Sequence, residues 1–125
     1  MSVALNHTIV HARDRQETAQ FLVDILGLEP ATPFGPFLVV SLTNDVSLDV
    51  VEDKGAVQSQ HYAFLVTEED FDSIFDRIRA RGLSYWADPF HQQPGTINTH
   101  DGGRGVYWDS PDGHNLEIIT RPYGG

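Results

Sequence analysis

An internal repeat constrains this chain more than any other feature. His7 and His61 stand 54 residues apart, as do Phe21 and Phe75, and Gly27 and Gly82 stand 55 apart. Both halves run through the same order of patterns. An apolar, β-branched stretch from Leu5 to Ala12 gives way to ARDRQETAQFLVDILG, where Phe21, Leu22, Ile25 and Leu28 recur at helical spacing and Gly27 ends the helix. FLVVSLT (37–43) and VSLDVVE (46–52) then read as strands meeting at Asn44-Asp45, a hairpin signal without the usual Gly. The order restarts at HYAFLVT, a strand, followed by EEDFDSIFDRIRARG with Phe71, Ile74, Phe75 and Ile78 on one helical face and Gly82 at its end. SYWADP, a loop from Phe90 to Gly103, the strand GVYWD, the turn SPDG and the strand HNLEIIT complete the chain.

This pattern predicts an α+β fold of two βαβββ modules, each a curved mixed sheet with a helix on its convex face, together enclosing a cleft. Residues 1–125 form one domain, with module 1 at about 1–55 and module 2 at about 56–125; the alternative is an unrelated α+β sandwich with coincident spacing. Two repeats are too few for a solenoid. The absence of Cys removes disulfides, thiolate metal sites and cysteine nucleophiles. Eighteen acidic against eight basic residues, with Lys54 the single Lys, give a net charge of -10, which argues against nucleic acid and anionic membranes as partners. The N-terminus shows no signal-peptide pattern and no apolar run reaches membrane-spanning length, so a cytoplasmic protein is expected.

Strand alternation selects the side chains that can meet. In LNHTIVHA, His7, Ile9 and His11 share one face; with Thr8 and Val10 packed under the helix, His7 faces the cleft. In the second half Tyr62, Phe64 and Val66 form the larger apolar set, which turns His61 to the cleft, and Glu117 alternates with Leu116 and Ile118. Two imidazoles and a carboxylate suit zinc, iron, manganese, nickel or cobalt while leaving coordination positions open. The same three residues also suit polar positions on half-solvated strands. Phe34, Phe37, Tyr85, Trp86 and Trp108 can supply stacking walls. The loop from Phe90 to Gly103 is either a lid or wall of the cleft or a surface excursion, and Arg104 at its exit is the best-placed cation for a substrate anion.

LNHTIVHARDRQETAQFLVDILGLEP, QHYAFLV and GVYWDSPDGHNLEIIT together resemble the vicinal oxygen chelate superfamily, which includes glyoxalase I, extradiol dioxygenases, fosfomycin-modifying enzymes and bleomycin-resistance proteins. The resemblance covers nearly the whole chain. It is most specific at SPDGHNLEI, which matches the family's turn followed by a strand with a metal-binding Glu; Ser110 is inserted into that turn and receives no role. Carried over, the resemblance implies one divalent metal ion held by His7, His61 and Glu117. It offers Asp49 as a fourth acidic ligand or loosely held base, and Tyr107, ten residues before Glu117, as an acid that binds substrate oxygen. Arg104, Trp86 and Phe37 are the residues expected to contact substrate.

Two function classes follow. The first is a metal-dependent enzyme of glyoxalase or dioxygenase type, acting on a small substrate with vicinal oxygens and working as a homodimer. The scarcity of cations speaks against glutathione adducts and fosfomycin as its substrates. The second is a metal-free, bleomycin-resistance-like protein that sequesters a cationic small molecule, which the net charge of -10 favours.

Overall fold

The structure, a computed structural model, describes residues 1–122, and the chain divides into two compact units, Met1–Gln58 and a second beginning at Ser59. In the first unit β1 (His7–Ala12) is followed by α1 (Arg15–Leu26), β2 (Thr32–Phe34), β3 (Phe37–Ser41) and β4 (Ser47–Glu52). The sheet order is β1-β4-β3-β2, with β1 parallel to β4 and the other neighbours antiparallel. Helix α1 starts where the Asp14 carboxylate accepts from the N–H groups of Gln16 and Glu17, and it ends at Gly27 in the left-handed region (φ 69°), where the Leu28 N–H returns to the Val23 carbonyl. Its buried Leu22 and Ile25 meet the face of the sheet that carries Val10, Ala12, Val40, Leu48 and Val50. Each such aliphatic side chain taken out of water contributes about 1.5–3 kcal/mol. At the hairpin, Asp45 takes the positive φ (65°) that Gly usually provides, while the Leu42 N–H bonds the Val46 carbonyl.

The second unit holds β5 (His61–Leu65), α2 (Glu68–Ala80), β6 (Gly105–Asp109) and β7 (Asn115–Ile119) in the order β5-β7-β6, with β5 parallel to β7 and β6 antiparallel. Where the first unit has β2, the second has isolated bridges to β6, from Asn98 to Gly105 and from Trp86 to Tyr107, the latter closed by both backbone hydrogen bonds at 2.9 Å. Thr67 caps α2 and Gly82 (φ 67°) lies just past its end. The two mixed sheets and two helices make an α+β fold consistent with two βαβββ modules, and neither sheet closes.

Register extends the repeat to single residues. His7 pairs with Ser47 and Ile9 with Asp49; His61 pairs with Asn115 and Ala63 with Glu117. Asp49 and Glu117 therefore hold the same position in their units, as do His7 and His61.

Ser110 has a structural role after all. It is buried, its hydroxyl accepts the His114 N–H, and its backbone closes the β6–β7 turn. No helix among the described residues is long and apolar enough to cross a membrane.

Candidate functional site

Paired residues of neighbouring strands point to one side, so the face of the first sheet opposite α1 carries three rows: His7–Ser47–Ser41, Ile9–Asp49–Val39 and His11–Val51–Phe37. The His7 ring is exposed, and its Nδ1 lies 2.7 Å from Asn6 Oδ1. An amide oxygen only accepts, so Nδ1 carries the proton and Nε2 keeps its lone pair. Asp49 is half-buried and accepts from the Ser47 hydroxyl at 2.8 Å. Phe37 stands in the row farthest from His7, beside Phe34 at the β2–β3 turn.

The equivalent face of the second sheet carries His61–Asn115–Asp109, Ala63–Glu117–Tyr107 and Leu65–Ile119–Gly105. The His61 Nδ1 donates to the Asn115 carbonyl at 2.9 Å, and its Nε2 lies 3.1 Å from Glu117 Oε1. Glu117 is 1% exposed, the most buried acid of the chain. With Nδ1–H committed to a carbonyl, the Nε2 lone pair faces a carboxylate lone pair, an arrangement that requires a shared cation, either a proton or a metal ion. Two ligands each about 2.1 Å from one ion stand about 3 Å apart when adjacent in its coordination sphere, so the pair fits a divalent metal in spacing as well as in chemistry. Among the described residues no third His, Asp or Glu joins them in one group. Tyr107 is buried, with its ring stacked on His61 at 5.9 Å and 25°.

Other expected contact residues are placed less simply. One face of the Trp86 indole is covered by His91, stacked at 3.6 Å and 4°. His91 has a positive φ (59°) and points its Nε2 at Asp109 from 3.6 Å; burial pushes the Asp109 carboxyl up, partly offset by His91. Trp108 is no stacking wall: strand alternation puts it on the opposite face from Tyr107, and it is fully buried. Tyr85 packs edge-on against Phe75 of α2. The Arg104 guanidinium is already committed, donating at 2.8 Å to Glu68 and at 2.8 Å to Asp72 while lying over the Phe71 ring. It thereby ties the first turn of α2 to the start of β6. Those carboxylates hold Arg104 above the usual arginine range, Asp72 foremost. The Thr120 hydroxyl and then Arg104 hold Glu68 below the usual range.

The segment 90–103 is hydrogen-bonded into the second unit. The Asn98 backbone pairs with Gly105 in both directions, and its Nδ2 donates to the Ala87 carbonyl at 2.8 Å. Gln92 and Gln93 donate backbone N–H groups to Asp88; burial raises that carboxyl, but these donors with Phe90 outweigh it and hold it low. The segment forms one wall of a cavity of about 270 Å³, whose other walls include Tyr107, Glu117, Ile119 and Arg121. Sequence reading did not single out Arg121, Asn6 or Asn115. Asn6 had a visible signal, an amide next to a candidate ligand, whereas the part of Asn115 depends on the β5–β7 register.

Residues 4–118 match the family model of the Glyoxalase/Bleomycin resistance protein/Dioxygenase superfamily. The chain belongs to this superfamily. Among solved structures, Oxidase ChaP-H1 superposes with a TM-score of 0.97 at 66% identity, covering 99% of this chain and 100% of that one. Oxidase ChaP-H2 has a TM-score of 0.97 at 61% identity, covering 100% of this chain and 98% of that one. The Glutathione transferase FosA of Serratia marcescens is 29% identical over 125 residues, spanning 94% of this chain and 81% of that protein. For this superfamily member, similar proteins therefore include two named as oxidases and one named as a glutathione transferase.

Proposed function

We propose that the protein is a metal-dependent oxidase that uses dioxygen to oxidise a small substrate with adjacent oxygens, such as a catechol or an α-hydroxyketone. The observation that carries this reading is the His61–Glu117 pair, a buried carboxylate 3.1 Å from an imidazole nitrogen whose other N–H is fixed by a carbonyl. His7, with its Nδ1–H likewise fixed by Asn6, is the proposed third ligand. Two His and one carboxylate with open positions is the donor set of non-haem iron(II) oxygenases, and the two oxidases at 66% and 61% identity favour iron over zinc, manganese, nickel or cobalt. Held by His7, His61 and Glu117, the ion would supply Lewis acidity and redox chemistry.

The chain's own residues do the rest. Tyr107, beside Glu117 in register, holds or moves a proton at a substrate oxygen, and its ring with Ile119 keeps water from the reacting face. Asp49 is the proposed base or further ligand from the first unit, in the position equivalent to Glu117. Trp86 and Phe37 are proposed substrate contacts. The domain 1–125 acts as a homodimer, because the exposed apolar side chains Ile9, Leu65 and Phe34 lie on the same sheet faces as the candidate ligands and contacts. A cytoplasmic location is part of this reading.

The test is oxygen uptake by iron(II)-loaded protein with catechol, alongside metal content. Full metal occupancy in a His7→Ala, His61→Ala double variant overturns the ligand assignment. Isomerisation of a 2-oxoaldehyde thiol adduct without oxygen uptake overturns the oxidase in favour of a lyase. Tight binding of a bleomycin-type cation by metal-free protein, with no turnover, overturns both in favour of sequestration.

A further inference from the structure

The cavity of the second unit has a chemical asymmetry that the proposed metal chemistry does not use. Glu117 and Tyr107 line it together with His100, Asp101 and Arg121, and Ile119 offers an apolar surface on the same strand as Glu117, two residues along toward Arg121. Two guanidinium groups border it. That of Arg104 is engaged by Glu68 and Asp72 and offers no free fork. Arg121 is exposed and makes no ion pair among the described residues, although Asp101 borders the same cavity. In a chain with 18 acidic and 8 basic residues, carboxylate partners are plentiful, so a cavity-lining arginine without one is available to a ligand.

Its stem is seated rather than loose. A Cβ at Gly103 would come within 2.8 Å of Arg121 Cγ and 2.7 Å of Thr120 Oγ1, so the side chain lies in a groove that only glycine leaves open. Arg121 also follows Glu117 by four residues, at most about 13 Å of extended chain, and an arginine reaches back over part of that span.

We infer that Arg121 is the anion-recognising residue of this cavity and that the substrate is a single-ring oxygen chelator carrying a carboxylate opposite its chelating oxygens. A planar guanidinium binds a carboxylate through two parallel hydrogen bonds, which sets orientation as well as affinity. The cavity of about 270 Å³ is near the lower end for ligand sites and admits one ring against Ile119 and Tyr107. The inference deepens the oxidase reading and rests on it for the chelating end of the ligand.

The test has two arms. In the first, zinc-loaded protein is titrated calorimetrically with catechol and with 3,4-dihydroxybenzoate. The wild type binds the acid about 10-fold or more tightly than catechol, and Arg121→Gln loses that preference while its affinity for catechol stays within about twofold. Arg121→Lys, which keeps the charge but not the fork, falls between. In the second arm, metal-free protein is titrated with benzoate and the arginine Nε–H resonances are followed by NMR; one resonance shifts in the wild type, and that shift is absent in Arg121→Gln.

A benzoate response without catechol binding to the metal-loaded protein leaves the arginine site standing and overturns the metal reading. Catechol binding with no preference for the acid and no benzoate response overturns the role of Arg121 and leaves the metal reading standing. A preference that survives in Arg121→Gln overturns the role as well. Binding of neither probe overturns both.

Discussion

Asn6 and Asn115 show how single residues set the tautomer and orientation of an imidazole. Each supplies an oxygen to a His Nδ1–H, which fixes ring orientation and leaves Nε2 as the lone-pair donor. The oxygen on His61 belongs to a backbone carbonyl and survives mutation, whereas that on His7 is a side-chain amide. Asn6→Ala should therefore weaken iron(II) or zinc affinity by about 10-fold or more, with an unchanged melting temperature of the metal-free protein, as read by competition with a chromophoric chelator. Tyr107→Phe keeps the ring stacked on His61 but removes its hydroxyl. It should lower turnover by about 10²-fold with metal content intact, and equal activity would reduce Tyr107 to a wall residue.

At the scale of elements, the contact from Arg104 to α2 is the clearest case of a charge serving the fold. Glu68 and Asp72 lie one helical turn apart and grip one guanidinium, whose flat face covers Phe71. Both acids are well exposed, so Arg104→Gln should cost about 1 kcal/mol, mostly through lost packing of the arginine on Phe71. The pH dependence has a definite sign. Glu68 titrates below its ordinary value of 4.5 when folded, so its contribution is complete above that value and disappears as pH falls through the lower folded one. The gap in melting temperature between wild type and Arg104→Gln should narrow in acid without closing, because the packing on Phe71 does not titrate; a gap unchanged from pH 7 down to pH 3 would contradict the ion-pair account.

For the whole molecule, the exposed Ile9 and Leu65 on the sheet faces that carry the proposed ligands call for a covering partner, and a second copy of the chain is the proposed one. Sedimentation should give twice 13.9 kDa, and Leu65→Glu should shift the equilibrium toward the monomer by placing a charge on that face. A wild type that stays monomeric at micromolar concentration would remove the dimer. The net charge of -10 makes any attraction of an anionic substrate short-ranged, confined to the cavity around Arg121 rather than spread over the surface.

Sequence alone determined what depends on periodicity and local conformation. The 54-residue repeat, the two helices ending at Gly27 and Gly82, and the alternation that puts Thr8 and Val10 on the face opposite His7 all follow from chain-local rules, and each appears in the fold. The short β2 escaped because three exposed residues, Thr32–Phe34, carry no alternation to read. What only tertiary structure decided are the long-range pairings. Strand register put Glu117 diagonally across from His61 and made Asp49 its counterpart, and the packing of α2 against the start of β6 took Arg104 for the fold while leaving Arg121 at the cavity. Two arginines 17 positions apart look alike in a sequence, because the carboxylates that would occupy a guanidinium are contributed by a helix more than 30 residues away, and only folding brings them to one and not the other.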